Sequence, residues 1–259
     1  MTAQALTPAT SAQIAAARTA ANALGLYFGL ADPAGRYWRS TTLLYSPEAS
    51  PLDGLLDSTQ ERLGGCERRV AASLFYQGFA ARLLSPQLGC LATGGCLPAL
   101  PADQLSWREP ATEVIGLGLP AGPGWTGPVP ALLDQLLTES FTAHLRPLAT
   151  AIRTRVKISA ELLTGNAASA LISGLRLLDR RLGNDGWRPL AARALADRAL
   201  HGSGTLRAAD TAEAPEAAEP AFVRRSCCLY YRTPAGGLCG DCPLALRHRT
   251  QTGRAPGTI

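Results

Sequence analysis

The sequence predicts a mainly α protein with a small β component, in which a helical body is followed by a linker and a small C-terminal cysteine-rich segment. Three observations carry this expectation. Apolar residues recur at helical spacing through much of residues 10–200. Residues 202–220 (GSGTLRAADTAEAPEAAEP) lack aromatics and are rich in Ala, Glu and Pro, the composition of a linker or mobile loop. Beyond them, four of the seven cysteines crowd together as Cys227, Cys228, Cys239 and Cys242. The expected units are therefore a body over 1–201, which would also offer the substrate-docking region, a linker over 202–220 and a cysteine segment over 221–259. The last of these ends in a polar, loose tail from Arg247 to Ile259.

Taken in order, Thr10 to Leu24 is alanine-rich with helical periodicity and predicts the first helix. Arg36 to Tyr45 (RYWRSTTLLY) is aromatic and β-branched between Pro33-Ala34-Gly35 and Pro47, which predicts a short strand. A second long helix is expected over Cys66 to Leu84, with Val70, Leu74 and Ala81 on one face and Pro86 closing it. Glycine and proline are dense from Gly94 to Pro130, so loops are expected there, with a strand at most over Glu113 to Leu117. Helical signal then dominates Val129 to Leu200, interrupted at Pro147 and at Gly183-Asn184-Asp185-Gly186, residues that favour a turn. This last region should supply most of the core.

Composition narrows the function classes. Hydrophobic residues at 46% against charged residues at 17% suit a globular chain and argue against disorder. No stretch approaches a membrane span, and Met1 to Ala17 lacks the basic start and apolar run of a secretory signal, so a cytoplasmic address is expected. The formal charge of +5 comes from arginine, since Lys157 is the only lysine. The arginines are scattered, and no aromatic-rich strand accompanies them, which disfavours nucleic acid as a partner. No Gly-x-Gly-x-x-Gly follows a strand and no phosphate-binding loop occurs, so no nicotinamide or flavin site of the chain's own is expected.

The four C-terminal cysteines read Cys-Cys, ten residues, Cys, two residues, Cys. Thiolates at such spacing are soft ligands, and four complete the shell of a zinc ion or of an iron–sulfur cluster. Structural zinc usually draws on two Cys-x2-Cys knuckles. Cys239-Gly240-Asp241-Cys242 is one such knuckle, whereas adjacent side chains at Cys227 and Cys228 diverge in extended backbone and are hard to aim at one ion. A two-iron cluster offers metal at two places and relaxes that constraint. Thiol exchange is the remaining option, without the βαβ context that usually accompanies it. A cysteine–histidine catalytic pair finds no orienting partner in sequence for His144, His201 or His248, and Cys66, Cys90 and Cys96 read as small buried hydrophobes.

Ser226-Cys227-Cys228-Leu229-Tyr230-Tyr231-Arg232, ten residues from Leu229 to Leu238, then Cys239-Gly240-Asp241-Cys242-Pro243-Leu244, resembles the C-terminal signature of the FhuF family of siderophore-iron reductases. A second, weaker echo is Leu162-Leu163-Thr164-Gly165-Asn166-Ala167-Ala168-Ser169, similar to the stretch that opens a central helix in those proteins. The resemblance implies a 2Fe-2S cluster held by Cys227, Cys228, Cys239 and Cys242. It implies an oxidoreductase acting on metal ions: a ferric-siderophore reductase that passes one electron to siderophore-bound Fe(III) and releases Fe(II), with a ferredoxin or flavodoxin as separate donor. The linker here is long for that pattern. The rival from another class is a non-redox siderophore-binding or scaffold protein in which the four cysteines hold a structural zinc ion.

Residues around the motif have more than one reading each. Arg224, Arg225 and Arg232 would offset the negative charge of a four-thiolate cluster and raise its potential, or form no more than a solvated basic face, and equally could dock an acidic donor. Tyr230 and Tyr231 would shield the cluster or simply pack. Arg146, Arg153, Arg155 and Lys157 form a basic run that reads first as a solvated helix face, and Trp38, Trp107, Trp125 and Trp187 read first as core. Substrate-contact residues are not identified from sequence.

Overall fold

The computed structural model describes residues 5–48, 50–109, 115–183, 186–207 and 222–245. It is a mainly helical body with small antiparallel sheets and a C-terminal cysteine-rich segment, as the sequence predicts, and that segment is seated on the body. The first helix, α1 (Ser11–Ala23), begins at a reciprocal capping box in which Thr10 accepts from the Gln13 backbone N–H and the Gln13 side chain answers the Thr10 backbone. Strand β1 (Thr7–Ala9) precedes it, β2 (Arg39–Ser40) and α2 (Thr42–Tyr45) follow, and α3 spans Leu52–Arg62. The strand expected over 36–45 is thus only two residues long, because Thr42–Tyr45 turns helical and buries Leu44.

The axis of the body is α4 (Arg68–Gly94), a 27-residue helix that runs through Pro86 instead of stopping there. Proline removes one helix hydrogen bond and usually kinks or ends a helix. Here residues 83–91 are all buried among neighbouring elements, and the Gln87 carboxamide donates to the Leu83 carbonyl at 3.1 Å. Burial on all sides outweighs the local penalty, and the helix ends only at Gly95, in the left-handed conformation that glycine adopts at little cost. The close approach of α1 to α4 has a specific cause: a Cβ added at Gly89 would lie 2.9 Å from the Ala21 methyl.

Strands β3 (Cys96–Pro98), β4 (Ser106–Arg108), β5 (Gly116–Gly118) and β6 (Gly124–Thr126) form two small antiparallel sheets of order β1-β6-β3 and β2-β4-β5. The strand expected near Glu113 to Leu117 corresponds to β5, its first residues lying outside those described. Buried Arg82 ties this region to α4, donating to the Gly29 carbonyl at 2.9 Å, to the Ile115 carbonyl at 3.3 Å and to the Leu26 carbonyl.

The last helices are α5 (Val129–Glu139), α6 (Arg146–Arg155), α7 (Ala160–Leu182) and α8 (Trp187–Ala196). Pro147 does not break the chain. A π-turn over Ser140–Leu145 absorbs the change of register and delivers Pro147 to the first turn of α6, where its missing N–H costs little. The actual break falls at Val156–Ser159, where Ser159 caps α7 by accepting from the Leu162 N–H at 3.2 Å. The turn expected at Gly183 is present, with Gly183 left-handed at the end of α7. Helix α7 lies along α4, and its residues Gly165–Ile172 are all buried. Among the described residues no helix is long and apolar enough to cross a membrane.

Candidate metal centre

The segment expected as a linker contains a strand at its start, β7 (Gly204–Leu206), and it pairs antiparallel with β8 (Phe222–Arg224). Most of the remainder, residues 208–221, lies outside the described residues, as does the tail beyond residue 245 with His248. Fully buried Phe222 roots β8 in the core, and Arg225 N–H donates to the Ser203 carbonyl at 2.8 Å. The cysteine segment therefore enters its site from a fixed strand.

Three contacts then seat it between α4 and α7. Ser226 lies over Gly165, where an added Cβ would come within 2.3 Å of Ser226 Oγ, and that hydroxyl donates to the Glu161 carbonyl at 3.2 Å. Ser73 Oγ donates to the Cys228 carbonyl at 2.7 Å. Leu229, buried in the core, is the only described non-glycine residue at positive φ, 70°. That conformation costs roughly 1–2 kcal/mol for an L-residue and is held here by burial of the side chain. It turns the chain at once after the cysteine pair into a short 3-10 turn, Tyr230–Arg232.

The sulfurs are arranged in pairs. Cys228 Sγ lies 3.6 Å from Cys239 Sγ, close to the spacing of about 3.8 Å expected between two sulfurs bound tetrahedrally to one metal at 2.3 Å. The pair takes one sulfur from each half of the motif. Cys227 receives the Leu229 N–H at 3.3 Å, lies near Cys228 and Cys242, and is within reach of the Arg224 charge without a hydrogen bond to it. Cys228 and Cys242 are buried, Cys227 and Cys239 partly exposed. Among the described residues no three His, Cys, Asp or Glu side chains already form a single metal shell.

Electrostatics single out Arg224. It is only 1% exposed, yet its Nη2 donates to Cys239 Sγ at 2.7 Å and its Nη1 to Asn166 Oδ1 at 2.7 Å. Burial works against its charge, but Cys228, Cys239 and Asp241 outweigh burial and hold the guanidinium firmly protonated. Beside it Cys228 and Cys239 share one hydrogen bond at 3.6 Å, and that bond, with Arg224 assisting against burial, pulls the Cys228 thiol well below its ordinary range. Sharing that proton pushes Cys239 up. Arg224 Nε is buried without any acceptor among the described residues. Four soft thiols, a buried cation and an unsatisfied buried donor suit an anionic, sulfide-rich group.

The body answers with its own polar groups. Asn166 Nδ2 donates to Ser73 O at 2.8 Å and to Ser73 Oγ at 2.9 Å, and Ser169 Oγ donates to Asp241 Oδ2 at 2.5 Å. The Leu162–Ser169 echo is thus the seat of the cysteine segment. Sequence reasoning did not single out Ser73, Asn166, Ser169 or Asp241. The available signal was polar residues on otherwise apolar faces: Asn166 and Ser169 three apart on α7, Ser73 and Gln77 four apart on α4.

Other sequence candidates separate clearly. Arg225 and Arg232 are exposed, the latter ion-paired with Glu67, and Tyr230 and Tyr231 are exposed at 37% and 45%. In the basic run, Arg155 is drawn to Asp53 at 2.9 Å while Arg146, Arg153 and Lys157 face solvent. Trp107 and Trp187 are core and Trp125 is half-buried in β6, but Trp38 lines a cavity of about 380 Å³ with Arg82 and Arg108. His144 is buried between Tyr45 Oη and the Leu100 carbonyl, 2.7 Å from each, a structural role, and His201 is exposed. Cys66, Cys90 and Cys96 are buried as expected.

Residues 224–244 match the family model of the FhuF 2Fe-2S C-terminal domain. No curated protein matches the chain. The matched span runs from Arg224 through Leu244 and contains all four clustered cysteines. The segment is thus similar to a FhuF-type domain, and the cofactor of such a domain is a 2Fe-2S cluster.

Proposed function

We propose, from a C-terminal segment that is similar to a FhuF-type 2Fe-2S domain, that the protein is a ferric-siderophore reductase whose cluster is held by Cys227, Cys228, Cys239 and Cys242. The observation that carries the reading is the Cys-Cys-x10-Cys-x2-Cys set inside the matched span, with the Cys228–Cys239 sulfur pair at a one-metal spacing. A 2Fe-2S cluster supplies one electron at a time at a potential set by charge, hydrogen bonds and exposure. Siderophore Fe(III) is substrate. It is hard and held tightly by hydroxamate or catecholate oxygen, and as Fe(II) it is held less strongly and exchanges to other acceptors.

The chain's residues would divide the work. Arg224 offsets thiolate charge from within, and Ser73, Asn166, Ser169 and Asp241 hold the segment on the body. Partly exposed Cys227 and Cys239, with exposed Tyr230, Tyr231 and Leu238 around them, form the face through which an electron would enter and leave. The Trp38–Arg108 cavity is not that face. Its Arg82 and the Ser73 contact stand nine residues apart on α4, two and a half turns, hence on opposite sides and about 13 Å apart along the axis. Electrons would come from a separate donor such as a ferredoxin or flavodoxin, and the setting would be the cytoplasm.

The test is purification without air, followed by visible absorption, EPR after dithionite, and dithionite-driven reduction of a ferric siderophore read with a ferrous chelator. A coloured protein with two iron and two sulfide per chain, EPR-active when reduced and re-oxidised by the ferric siderophore, is expected. A colourless protein with one zinc would establish the scaffold reading instead. A reduced cluster that ferric siderophores leave unoxidised would remove the substrate assignment.

A further inference from the structure

We propose that Arg224 is a positioning residue that selects which iron accepts the electron: Cys228 and Cys239 share one iron, Cys227 and Cys242 share the other, and the iron between Cys228 and Cys239 is the one reduced. The inference rests on the 2Fe-2S reading of this segment.

The pairing follows from the sulfur positions. Two thiolates on one tetrahedral iron stand about 3.8 Å apart, and thiolates on different irons stand farther apart. Cys228 and Cys239 are 3.6 Å apart. Adjacent Cys227 and Cys228 then divide between the irons, which resolves the difficulty of aiming neighbouring side chains at one point. Cys242 is the one sulfur of the set that remains for Cys227.

The asymmetry follows from the donors. The Cys228–Cys239 pair receives a charged donor, Arg224 Nη2 at 2.7 Å from Cys239. Cys227 receives a neutral backbone N–H, from Leu229 at 3.3 Å. Charge-assisted hydrogen bonds are about twice as strong as neutral ones, and a cation 1% exposed is scarcely screened by water or salt. Adding an electron increases negative charge on the sulfurs of the reduced iron, so the pair beside the buried cation gains more. Asn166 prevents Arg224 from swinging away by holding Nη1, and Nε has no competing acceptor among the described residues. In the step itself one electron from a one-electron reductant, dithionite in the test, converts Fe(III) between Cys228 and Cys239 to Fe(II). No bond is made or broken and no proton moves.

The experiment uses the anaerobically purified, cluster-loaded protein, its midpoint potential read by dithionite titration and its iron sites by Mössbauer spectroscopy of the reduced state. Arg224→Gln with iron and sulfide retained should shift the midpoint downward, Arg224→Lys should shift it less, and Arg225→Gln, a change at an exposed neighbour, should leave it in place. Because an alkoxide disfavours the ferrous state, Cys228→Ser and Cys239→Ser should lower the midpoint strongly and alter the ferrous signal. Cys227→Ser and Cys242→Ser should alter the ferric signal and move the midpoint less. An unmoved midpoint in loaded Arg224→Gln, or ferrous changes in the Cys227 or Cys242 variant, overturns the proposal. If Arg224→Gln fails to load, the serine series decides. A parent without iron and sulfide fails the cluster reading itself, a separate outcome.

Discussion

Asn166 accepts the Arg224 guanidinium at 2.7 Å with its carbonyl oxygen while its amide donates to Ser73 O and Ser73 Oγ at 2.8 and 2.9 Å. One side chain on α7 thus joins α4 to the cysteine segment. All three residues are buried, so no water stands ready to replace a lost partner. Asn166→Ala should destabilise the fold by about 1–3 kcal/mol, the cost of removing one acceptor from a buried guanidinium that keeps Cys239 and a long contact to Gln77, and one donor from a buried hydroxyl. Denaturant unfolding, with iron content measured on the same sample, checks this. Loss below about 0.5 kcal/mol, the low end for a single hydrogen bond, would show that Arg224 finds another partner.

Gly165 gives a second test because its fault would be steric. A methyl there would meet Ser226 Oγ at 2.3 Å, too near for any small adjustment, so Gly165→Ala should displace the start of the cysteine segment and lower cluster retention. Ser226→Ala removes the clashing hydroxyl and gives up only the bond to the Glu161 carbonyl. The double variant should therefore recover iron content toward that of Ser226→Ala alone. Additive losses in the pair would place the harm of Gly165→Ala elsewhere in α7.

How much of this was legible in the sequence depended on whether local or distant forces decided each element. The Thr10 start of α1 and the Gly183 stop announce themselves, because capping acts within one turn. Pro86 misleads: its local penalty is real, but whether α4 continues depends on α1 and α7 packing around residues 83–91. The four cysteines were visible as a set, since metal-ligand residue types cluster in sequence. Their seat was not, because Ser73 and Asn166 lie 155 and 58 residues from their partners Cys228 and Arg224, and neither is chemically unusual alone. Arg224, Arg225 and Arg232 looked equivalent in sequence, and only burial separates the first from the others.

His144 supplies a pH signature independent of the cysteines. Burial pushes its imidazole down to about 4 from the ordinary 6.5, the Leu100 carbonyl opposing only in part. The ring is therefore neutral when folded, bridging Tyr45 Oη and Leu100 O. A folded pKa below the unfolded one means the contribution is complete above pH 6.5 and declines as pH falls toward 4, by up to about 3 kcal/mol. Unfolding free energy measured across that window should fall accordingly, and His144→Gln should flatten the decline while lowering stability at pH 7. A parent curve as flat as that of the variant would remove His144 as its source.

Removing the metal should loosen one part of the molecule and spare the rest. Cys228 and Cys242 are buried, and without metal Cys228 and Cys239 are linked only by a shared proton beside the Arg224 charge. Metal binding that assembles such a site contributes directly to the stability of the segment around it. The core along α4 and α7 depends instead on apolar contacts such as Phe79, Leu83, Leu171 and Leu175, none of which belongs to the cysteine segment. Amide hydrogen exchange before and after iron chelation should therefore speed up over residues 224–244, and at Ser73 and Asn166, whose polar partners lie in that segment. Exchange in residues 79–91 and 170–178 should hold its rate. Uniform acceleration through α4 and α7 would make the cluster a requirement of the whole fold, and no acceleration over 224–244 would mean that β8, Ser73 and Leu229 alone fix the segment in place.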